Sequence, residues 1–163
     1  LLGEFLFNHV FSSMDPEFDR FCDIGHGVGS VVLHCAFTRG VESRGVELAE
    51  LRNDCAVAIA NTVTRSAKNR RGRRYGRISF RQGELQDPAH RAYIAGSNRL
   101  FCNNYNGVFG PRANRDGGLS PDHFLAGLFT QLSPGSELIT LERLPELPMP
   151  QQEAKEAREN AGL

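Results

Sequence analysis

The stretch that decides the fold is Phe21-Cys22-Asp23-Ile24-Gly25-His26-Gly27-Val28-Gly29. Its first four residues are typical of a short buried strand, which Gly25 ends, and a helix-like pattern begins at Val28. Glycines at such a turn allow a tight bend and a close approach of the backbone to a ligand. The free amides of the new helix suit a negatively charged group. The stretch therefore predicts a strand, a ligand-binding turn and a helix in succession.

The segments on either side continue this alternation of patterns. Further strands are predicted at 42–47, 77–81, 98–103 and 137–141. Helices are predicted at 4–11, 28–37, 49–68, 88–95 and 122–132, the last capped by Ser120. Strands that alternate with helices are typical of a parallel sheet. The predicted fold class is therefore α/β: a Rossmann-like, mostly parallel sheet flanked by helices.

The composition is that of one soluble globular domain. The chain has 163 residues, 40% hydrophobic and 23% charged, and its 19 basic and 19 acidic residues cancel. No apolar run approaches the length of a membrane span, so we expect no membrane partner. The chain begins with Leu1 instead of Met, which indicates a fragment whose targeting signals lie outside it.

The four cysteines are Cys22, Cys35, Cys55 and Cys102. Each lies in an apolar segment and none forms a C-x-x-C pair, so we expect reduced thiols in the core of an intracellular protein. No spacing of cysteine and histidine fits a zinc site, and no metal is expected.

The glycine spacing favours an adenosine cofactor that has no pyrophosphate. A dinucleotide fingerprint has the form G-x-G-x-x-G, whereas this chain has G-x-G-x-G with Asp23 two residues before Gly25. That pattern resembles the cofactor loop of class I methyltransferases. Glu47 lies 22 residues after Gly25 and ends the second predicted strand. Its carboxylate can accept hydrogen bonds from both hydroxyls of a ribose. After the third strand, Glu84 can accept from an adenine amino group while Leu85 packs on the ring.

The end of the fourth predicted strand has the residues expected around a methyl acceptor. It runs Asn103-Asn104-Tyr105-Asn106-Gly107-Val108-Phe109-Gly110-Pro111. Small amides and an aromatic ring can hold an amine in line with a sulfonium, and positioning carries much of the catalysis in such a displacement. A lysine acceptor must also be deprotonated, and a desolvated channel lowers its pKa. The alternative is a loop whose asparagines only stabilise turns.

Several segments match one known family in chain order. They are Gly3-Glu4, the glycine stretch, Val31-Val32-Leu33, Gly45-Val46-Glu47, Phe101-Cys102-Asn103-Asn104-Tyr105 and Phe109-Gly110-Pro111. Together, over residues 2–144, they resemble the disruptor-of-telomeric-silencing family of histone lysine methyltransferases, which lack a SET domain. The glycine loop is shared by many methyltransferases, whereas the Asn-Asn-aromatic segment followed by Phe-Gly-Pro is much more specific.

The resemblance implies a role in cofactor binding for each matching position. Residues 2–5 would lie on a loop that closes over the methionine end of S-adenosylmethionine, and residues 21–30 would wrap it from below. Glu47 would hold the ribose, and Glu84 with Leu85 would meet the adenine. The implied cofactor-binding residues are Leu2, Gly3, Glu4, Phe5, Phe21, Asp23, Gly25, His26, Gly27, Gly29, Ser30, Glu47, Glu84, Leu85 and Asn103.

The same resemblance implies the reaction. Asn103 would lie beside the transferred methyl group and Tyr105 would line the lysine channel, as the catalytic residues. The donor is S-adenosylmethionine, the product S-adenosylhomocysteine, and the acceptor a core-histone lysine in a nucleosome, so the expected location is the nucleus. Residues 1–144 would form the methyltransferase domain, and 145–163 a polar, proline-containing extension.

The chain departs from the family pattern at several positions. It has His26 for serine, Ser30 for glutamine, Phe5 for threonine, Glu84-Leu85 for Asp-Phe, and about two extra residues between Tyr105 and Phe109. The five predicted strands are also two fewer than in the full methyltransferase sheet. These differences concern the substrate channel more than the cofactor pocket. His26 itself has three interpretations: it shapes the loop, it is an exposed turn residue, or it is a ligand.

A basic run between Arg65 and Arg77 contains seven cations and no acid. Most such runs are solvated surface, and basic residues also stabilise a helix C-terminus. Seven exceed what capping needs, so we expect Arg70, Arg71, Arg73 and Arg74 to contact nucleosomal DNA or an acidic partner.

Three other functions remain open from the residues. A class I methyltransferase that acts on RNA or another protein would differ in its acceptor. A scaffold with the same fold would bind the cofactor without turnover or not at all. A dehydrogenase would bind NAD, and the glycine spacing argues against it.

Overall fold

The computed structural model describes residues 2–68, 75–110 and 119–146. In it, five strands alternate with five helices. The strands are β1 (Arg20–Ile24), β2 (Glu42–Glu47), β3 (Ile78–Gln82), β4 (Arg99–Cys102) and β5 (Glu137–Thr140). The helices are α1 (Leu2–Phe5), α2 (Ser30–Arg39), α3 (Glu50–Lys68), α4 (Pro88–Ala95) and α5 (Pro121–Phe129). Every predicted strand and helix is present, and the predicted helix 4–11 corresponds to α1 together with the π-helical turn Leu6–Val10 that follows it. The ends then differ from the predicted ones by up to three residues.

The strands form one sheet in the order β3-β2-β1-β4-β5, and all four pairings are parallel. The Rossmann-like fold class is therefore confirmed. β2 and β3 are added on one side of β1, and β4 and β5 on the other side. The order of the strands therefore reverses between β1 and β4. In open sheets of this kind, ligands bind at the carboxyl ends of the strands at this point of reversal. The glycine turn follows β1 at that place.

Two apolar clusters cover the two faces of the sheet. Successive side chains of a strand point to opposite faces, so Phe21 and Cys22 of β1 belong to different clusters. On one face Phe21 packs with Phe7 from the N-terminal segment and with α2. On the other face Cys22 packs with residues of α4 and α5, among them Ile94 and Leu125. The sheet is thus buried on both sides, which explains the short apolar strands in the sequence.

The N-terminal segment packs on the sheet, as expected for the predicted helix 4–11. α1 continues into a π-helical turn at Leu6–Val10, and both Leu6 and Phe7 are fully buried. The guanidinium of Arg39 at the end of α2 donates to the carbonyl of Phe7. This contact ties the segment to the helix that follows the glycine turn.

A polar side chain caps the N-terminus of each of the two helices on the other face of the sheet, α4 and α5. Ser120 precedes α5, and its hydroxyl accepts from the amide of His123, which confirms the predicted cap. Asp87 caps α4 in the same way, by accepting from the amide of Ala89 at 2.8 Å.

Helix α3 turns its larger apolar residues away from the sheet. The side that packs on the sheet has small or polar residues, namely Asn53, Ala56 and Ala60. Leu51 is 76% exposed, and Cys55 is exposed as well. The expectation that all four cysteines are core thiols is therefore wrong for Cys55, because it lies on the outer side of this helix, whereas the other three are buried.

Within the described residues, no helix is long and apolar enough to cross a membrane. Nor does that part of the chain bring together three or more histidine, cysteine, aspartate or glutamate side chains in a group that could hold a metal ion.

Candidate functional site

A cleft of about 510 Å³ opens at the carboxyl end of the sheet, beside the point where the strand order reverses. Six residues predicted from the sequence meet there: Gly25, Glu47, Glu84, Leu85, Asn103 and Tyr105. They come from the ends of four strands that are far apart in the chain. The parallel sheet brings them together because all four strands end at the same edge.

The glycine turn folds tightly between β1 and α2. Gly25, Gly27 and Gly29 all have positive φ, at 78°, 56° and 80°, a conformation that other residues rarely adopt. The amide of Gly25 donates to the carbonyl of Val46 at 2.8 Å, which fastens the turn to the end of β2. A Cβ on Gly29 would lie 2.7 Å from the ring of Phe80. The backbone conformation therefore favours glycine at all three positions, and close packing against Phe80 also requires it at position 29.

His26 is a packed part of this turn. It is 5% exposed, and its ring lies 4.6 Å from that of Phe80. A Cβ on Gly45 of β2 would lie 2.5 Å from the His26 ring, so Gly45 leaves the space that the imidazole fills. Burial lowers the pKa of His26, and the nearby Glu47 opposes that shift. The interpretation of His26 as an exposed turn residue is wrong, because its ring is buried on the face of the sheet, over Gly45 of β2 and against Phe80 of β3. His26 is not among the residues that line the cleft.

Glu47 is a buried carboxylate whose orientation is fixed on both oxygens. It is 3% exposed. Oε2 accepts from the amide of Gly27 at 2.9 Å, and Oε1 accepts from the amide of Ala49 at 2.9 Å. Arg52, which is 60% exposed, adds an ion pair to Oε1 at 3.1 Å. The carboxylate is thus locked between the glycine turn and the start of α3, at the wall of the cleft.

Asp23 lies in β1, two residues before the glycine turn, and is 3% exposed. Burial, together with the charge of Glu47, raises the pKa of its carboxyl to about 7. Two acids are therefore held close together below the turn. Asp23 is buried behind the residues that line the cleft.

The segment after β3 forms the other wall of the cleft. Gly83, Glu84 and Leu85 line it, with Leu85 buried and Glu84 exposed. The carbonyl of Glu84 lies 2.8 Å from Nδ1 of His90 on α4, and this contact fixes the segment. An apolar surface and an exposed carboxylate are therefore adjacent here.

The two asparagines after β4 have different surroundings. Asn103 is exposed and lines the cleft, while its Oδ1 lies 3.3 Å from the amide of Tyr105 and accepts from it. Asn104 is fully buried, and its amide donates to Asp122 and to the carbonyl of Glu142. Its oxygen accepts from the amides at positions 141 and 142. Asn104 thus holds β4, α5 and the end of β5 together, and Asn103 faces the cleft.

Tyr105 begins a short 3₁₀ turn that ends at Gly107. Its side chain is 62% exposed and lines the cleft with Val108 and Phe109. Asn106 inside the turn has a φ of 66°, and its amide donates to the Glu142 carboxylate at 2.8 Å. The extra residues between positions 105 and 109 are therefore accommodated by a tight turn at the rim of the cleft.

The N-terminal residues predicted to close over the cofactor do not line the cleft. Residues 2–5 form a helical turn instead of a loop, and Gly3 packs against the His34 ring of α2. Phe21 is fully buried in the core, and Ser30 is exposed at the start of α2. Their predicted contacts with the cofactor stay predictions. The basic residues Arg70, Arg71, Arg73 and Arg74, and also Pro111, lie outside the described residues.

The cleft also contains residues that sequence patterns did not indicate. They are Leu48, Arg52, Gly83 and Pro121, whereas Ile24, Val46, Val108 and Phe109 belong to segments that the sequence analysis had singled out. Those next to predicted residues could have been found from the rule that ligands lie at strand ends. Arg52 had no such signal: it lies in the first turn of α3, and the short turn after β2 brings it to Glu47.

A family model described as Histone methylation protein DOT1 matches residues 3–159. The chain belongs to the DOT1 histone methylation family. The match confirms the family that the glycine loop and the Asn-Asn-Tyr segment indicated, and it covers nearly the whole chain. It also runs past residue 144, so the predicted domain boundary there stays a prediction. No curated protein matches the sequence.

Solved structures of class I methyltransferases share the fold. An RNA methyltransferase from Salinibacter ruber in complex with S-adenosyl-L-homocysteine has a TM-score of 0.60 and 20% identity, over 85% of this chain and 72% of that one. A SAM-dependent methyltransferase from Geobacter sulfurreducens, in complex with the same compound, has a TM-score of 0.54 and 18% identity, over 94% and 51%. PKMT2 from Rickettsia typhi, in complex with AdoHcy, has a TM-score of 0.54 and 16% identity, over 78% and 21%. The DOT1-family chain thus spans only part of each of these proteins.

Proposed function

We propose that this DOT1-family chain is a protein-lysine N-methyltransferase that uses S-adenosylmethionine and acts on a core-histone lysine in the nucleosome. The observation that carries the proposal is the buried Glu47 carboxylate, which the Gly27 amide holds at the wall of the cleft. An acid locked in this way at the end of β2 suits the vicinal hydroxyls of a ribose. The glycine turn beside it suits the carboxylate of the methionine moiety.

The hydrogen bonds of Glu47 indicate what happens to Arg52 when a ribose binds. A carboxylate oxygen has about two lone-pair sites, and Oε1 already accepts from the Ala49 amide and from Arg52. A hydroxyl that binds Oε1 therefore displaces the guanidinium, which is 60% exposed and can move into solvent. Oε2 accepts only the Gly27 amide within the described residues, and so can take the second hydroxyl directly.

The cleft also fits the adenine end of the cofactor. Its volume of about 510 Å³ lies within the range typical of small-molecule sites. Leu85 supplies an apolar surface for the ring, and the carboxylate of Glu84 can accept from the exocyclic amine. Leu48, which is 56% exposed, also lines the cleft.

At the other end of the cleft, Asn103 and Tyr105 would position the acceptor amine. When bound, S-adenosylmethionine supplies a methyl group activated by a sulfonium. A lysine must lose its proton before it can attack, and the apolar Val108 and Phe109 would lower its pKa by excluding water. Asn103 would then orient the neutral amine through its carboxamide, so that the transfer is in line.

Membership of the family supports the nucleosome as the substrate and the nucleus as the location. We further propose that Arg70, Arg71, Arg73 and Arg74 contact nucleosomal DNA. The support for this contact is the seven cations without an acid between Arg65 and Arg77.

The proposal is tested with labelled S-adenosylmethionine and three acceptors side by side: reconstituted nucleosomes, free histones and RNA. We expect label on one histone of the nucleosome, and its loss in Asn103→Ala with S-adenosylhomocysteine binding retained. Glu47→Gln should weaken that binding by about 3 kcal/mol, roughly a hundredfold, because the ribose loses a charged acceptor and the new NH2 group cannot accept from the Gly27 or Ala49 amide.

The other outcomes identify the rival functions. Label on RNA would replace the histone proposal with an RNA methyltransferase. Binding of S-adenosylhomocysteine without transfer to any acceptor would indicate a scaffold. Binding of NAD instead of S-adenosylhomocysteine would contradict the cofactor proposal itself.

A further inference from the structure

The turn that carries Tyr105 at the rim of the cleft has an unusual backbone conformation. Asn106 and Gly107 both have positive φ, at 66° and 67°, and a positive φ is uncommon for a residue other than glycine. The amide of Gly110 donates to the carbonyl of Gly107 at 3.0 Å. A backbone of this kind persists only where surrounding groups fix it. We name Tyr105–Gly107 the acceptor turn.

Glu142, which follows β5, fixes the acceptor turn from outside. Its Oε1 accepts from the amide of Asn106 at 2.8 Å, between residues that are 36 positions apart in the chain. The backbone of Glu142 is itself fixed, because its amide donates to Oδ1 of Asn104 at 2.8 Å and its carbonyl accepts from Nδ2 of Asn104 at 3.1 Å. Asn104 is fully buried, so the carboxylate reaches the acceptor turn from a rigid base.

This contact determines where the acceptor side of the cleft lies. The amides of Tyr105 and Asn106 follow each other in the chain, and each donates to a side-chain oxygen, the first to Asn103 and the second to Glu142. The backbone on both sides of the Tyr105 side chain is therefore oriented. Tyr105 is 62% exposed, so the direction of its ring follows from this backbone more than from packing. A displaced acceptor turn would move that ring and would also release Oδ1 of Asn103.

Asn103 and Tyr105 line the cleft, whereas Glu142 lies outside the set of residues that line it. We propose that Glu142 is a positioning residue, whose carboxylate holds the acceptor turn so that Asn103 and Tyr105 receive the acceptor amine in line with the methyl group. This inference rests on the proposed function. In-line transfer depends steeply on alignment, since a displacement of about 1 Å can lower a rate roughly a hundredfold.

The charge of Glu142 gives a rival role, in which it attracts a cationic lysine to the mouth of the cleft. The two roles differ in what glutamine does at this position. Glu142→Gln keeps an oxygen that can accept from the Asn106 amide but has no charge, whereas Glu142→Ala removes both. A positioning residue is therefore rescued by glutamine, and a residue that acts through its charge is not.

Steady-state methyl transfer from labelled S-adenosylmethionine to nucleosomes separates the two roles. We expect Glu142→Ala to lower kcat about tenfold with little change in the KM of the nucleosome, and Glu142→Gln to recover most of that loss. The affinity for S-adenosylhomocysteine should stay the same in both variants. Glu146→Ala is the matched control, because it removes the same charge four residues further on, where Glu146 pairs with Arg143. It should leave kcat unchanged.

Hydrogen exchange of the Asn106 amide, measured by NMR, tests the contact without any acceptor. Glu142→Ala should speed this exchange roughly tenfold, and Glu142→Gln should give a rate between those of wild type and Glu142→Ala. Glu146→Ala should exchange like wild type. The fold should be retained, because Asn104 binds the backbone of residue 142 and not its side chain. Exchange of the buried Leu100 amide in β4 checks this.

Three results would overturn the proposal. Wild-type exchange of the Asn106 amide in Glu142→Ala would show that Glu142 does not hold the acceptor turn. Faster exchange with an unchanged kcat would show that the held geometry does not matter for transfer. Equal losses in the alanine and glutamine variants, in KM and not in kcat, would assign Glu142 to attraction of a cationic acceptor.

Failure of the proposed function has a different signature. A wild-type chain that transfers no methyl group to any acceptor would contradict that function, and the positioning role in transfer with it. The exchange rates of Asn106 would still show whether Glu142 holds the acceptor turn.

Discussion

At the scale of single residues, Asn103 and Asn104 are neighbours in sequence but differ in burial and in hydrogen bonding. The fully buried Asn104 uses both ends of its carboxamide, with two bonds donated and two accepted. Asn103 faces the cleft, and its Oδ1 accepts a hydrogen bond from the amide of Tyr105, two residues on. We therefore propose the role at the methyl group for Asn103, and expect Asn104 to stabilise the fold.

Alanine at each position should separate the two roles. Asn104→Ala should lower the free energy of unfolding by about 3 kcal/mol, because it leaves buried partners such as Asp122 without their hydrogen bonds. Asn103→Ala should change that free energy by less than about 0.5 kcal/mol and abolish methyl transfer. Urea denaturation and the transfer assay measure the two effects. If Asn103→Ala unfolded the protein instead, its effect on transfer would carry no information about the site.

Asp23 makes stability depend on pH. The pKa of its carboxyl is raised from 3.8 to about 7, chiefly by burial and then by Glu47. Between these values the folded chain keeps a proton that the unfolded chain loses, so this group stabilises the fold below pH 4 and stabilises it less and less as the pH rises to 7. The difference is of the order of 4 kcal/mol at most.

Asn at position 23 removes this titration. Compared with Asp23→Asn, the wild-type chain should lose stability between pH 4 and 7 and show a constant difference above pH 7. Urea denaturation of both proteins across that range gives the difference, in which the opposite contribution of His26 cancels. A difference that stays constant from pH 4 to 8 would show that Asp23 does not hold its proton.

At the scale of elements, the glycine turn depends on a residue of the neighbouring strand. Gly45 lies beside His26, and an added Cβ would be 2.5 Å from the imidazole, which is already packed against Phe80. The imidazole of His26 therefore fits only because position 45 carries no side chain.

Gly45→Ala should lower the free energy of unfolding by about 2 kcal/mol, because overpacking forces the His26 ring and the turn to move. It should also weaken the binding of S-adenosylhomocysteine, since Gly27 of the same turn holds Glu47. Adding His26→Ser should restore much of both, as expected for residues in contact. Urea denaturation and calorimetry measure the two effects. A Gly45→Ala chain that is as stable as wild type would contradict the packing argument.

At the scale of the whole molecule, the chain is electrically neutral, yet its basic residues are concentrated in one run. The cleft and this run are separate in sequence, so binding of the nucleosome and binding of the cofactor should be separable. Changing Arg70, Arg71, Arg73 and Arg74 to glutamine should weaken nucleosome binding and reduce its dependence on salt. Each lost phosphate contact lowers the slope of log K against log salt by about 0.9.

A titration of nucleosomes at several salt concentrations measures this slope. The affinity for S-adenosylhomocysteine serves as the control and should stay the same. Nucleosome binding that is unchanged in strength and in slope would exclude a contact between this run and DNA.

The sequence by itself determined the elements, their order and most of the cleft. The glycines after β1 and the acid that ends β2 were recognisable because tight turns and strand ends impose local requirements on residue type. The parallel sheet then brings Gly25, Glu47 and Asn103 to one edge whatever the details of packing. These features depend on neighbours in the chain, which is why patterns in the sequence reveal them.

Only the tertiary structure decided which neighbour of a pair is buried and which contacts cross between elements. The fit of His26 against Gly45 and the hydrogen bond of Asn104 to Asp122 of α5 both join residues that are distant in sequence. Tertiary packing likewise decides that the larger apolar residues of α3 face away from the sheet. Periodicity indicates that a helix has an apolar side, but the packing of small residues on the sheet decides which way that side points.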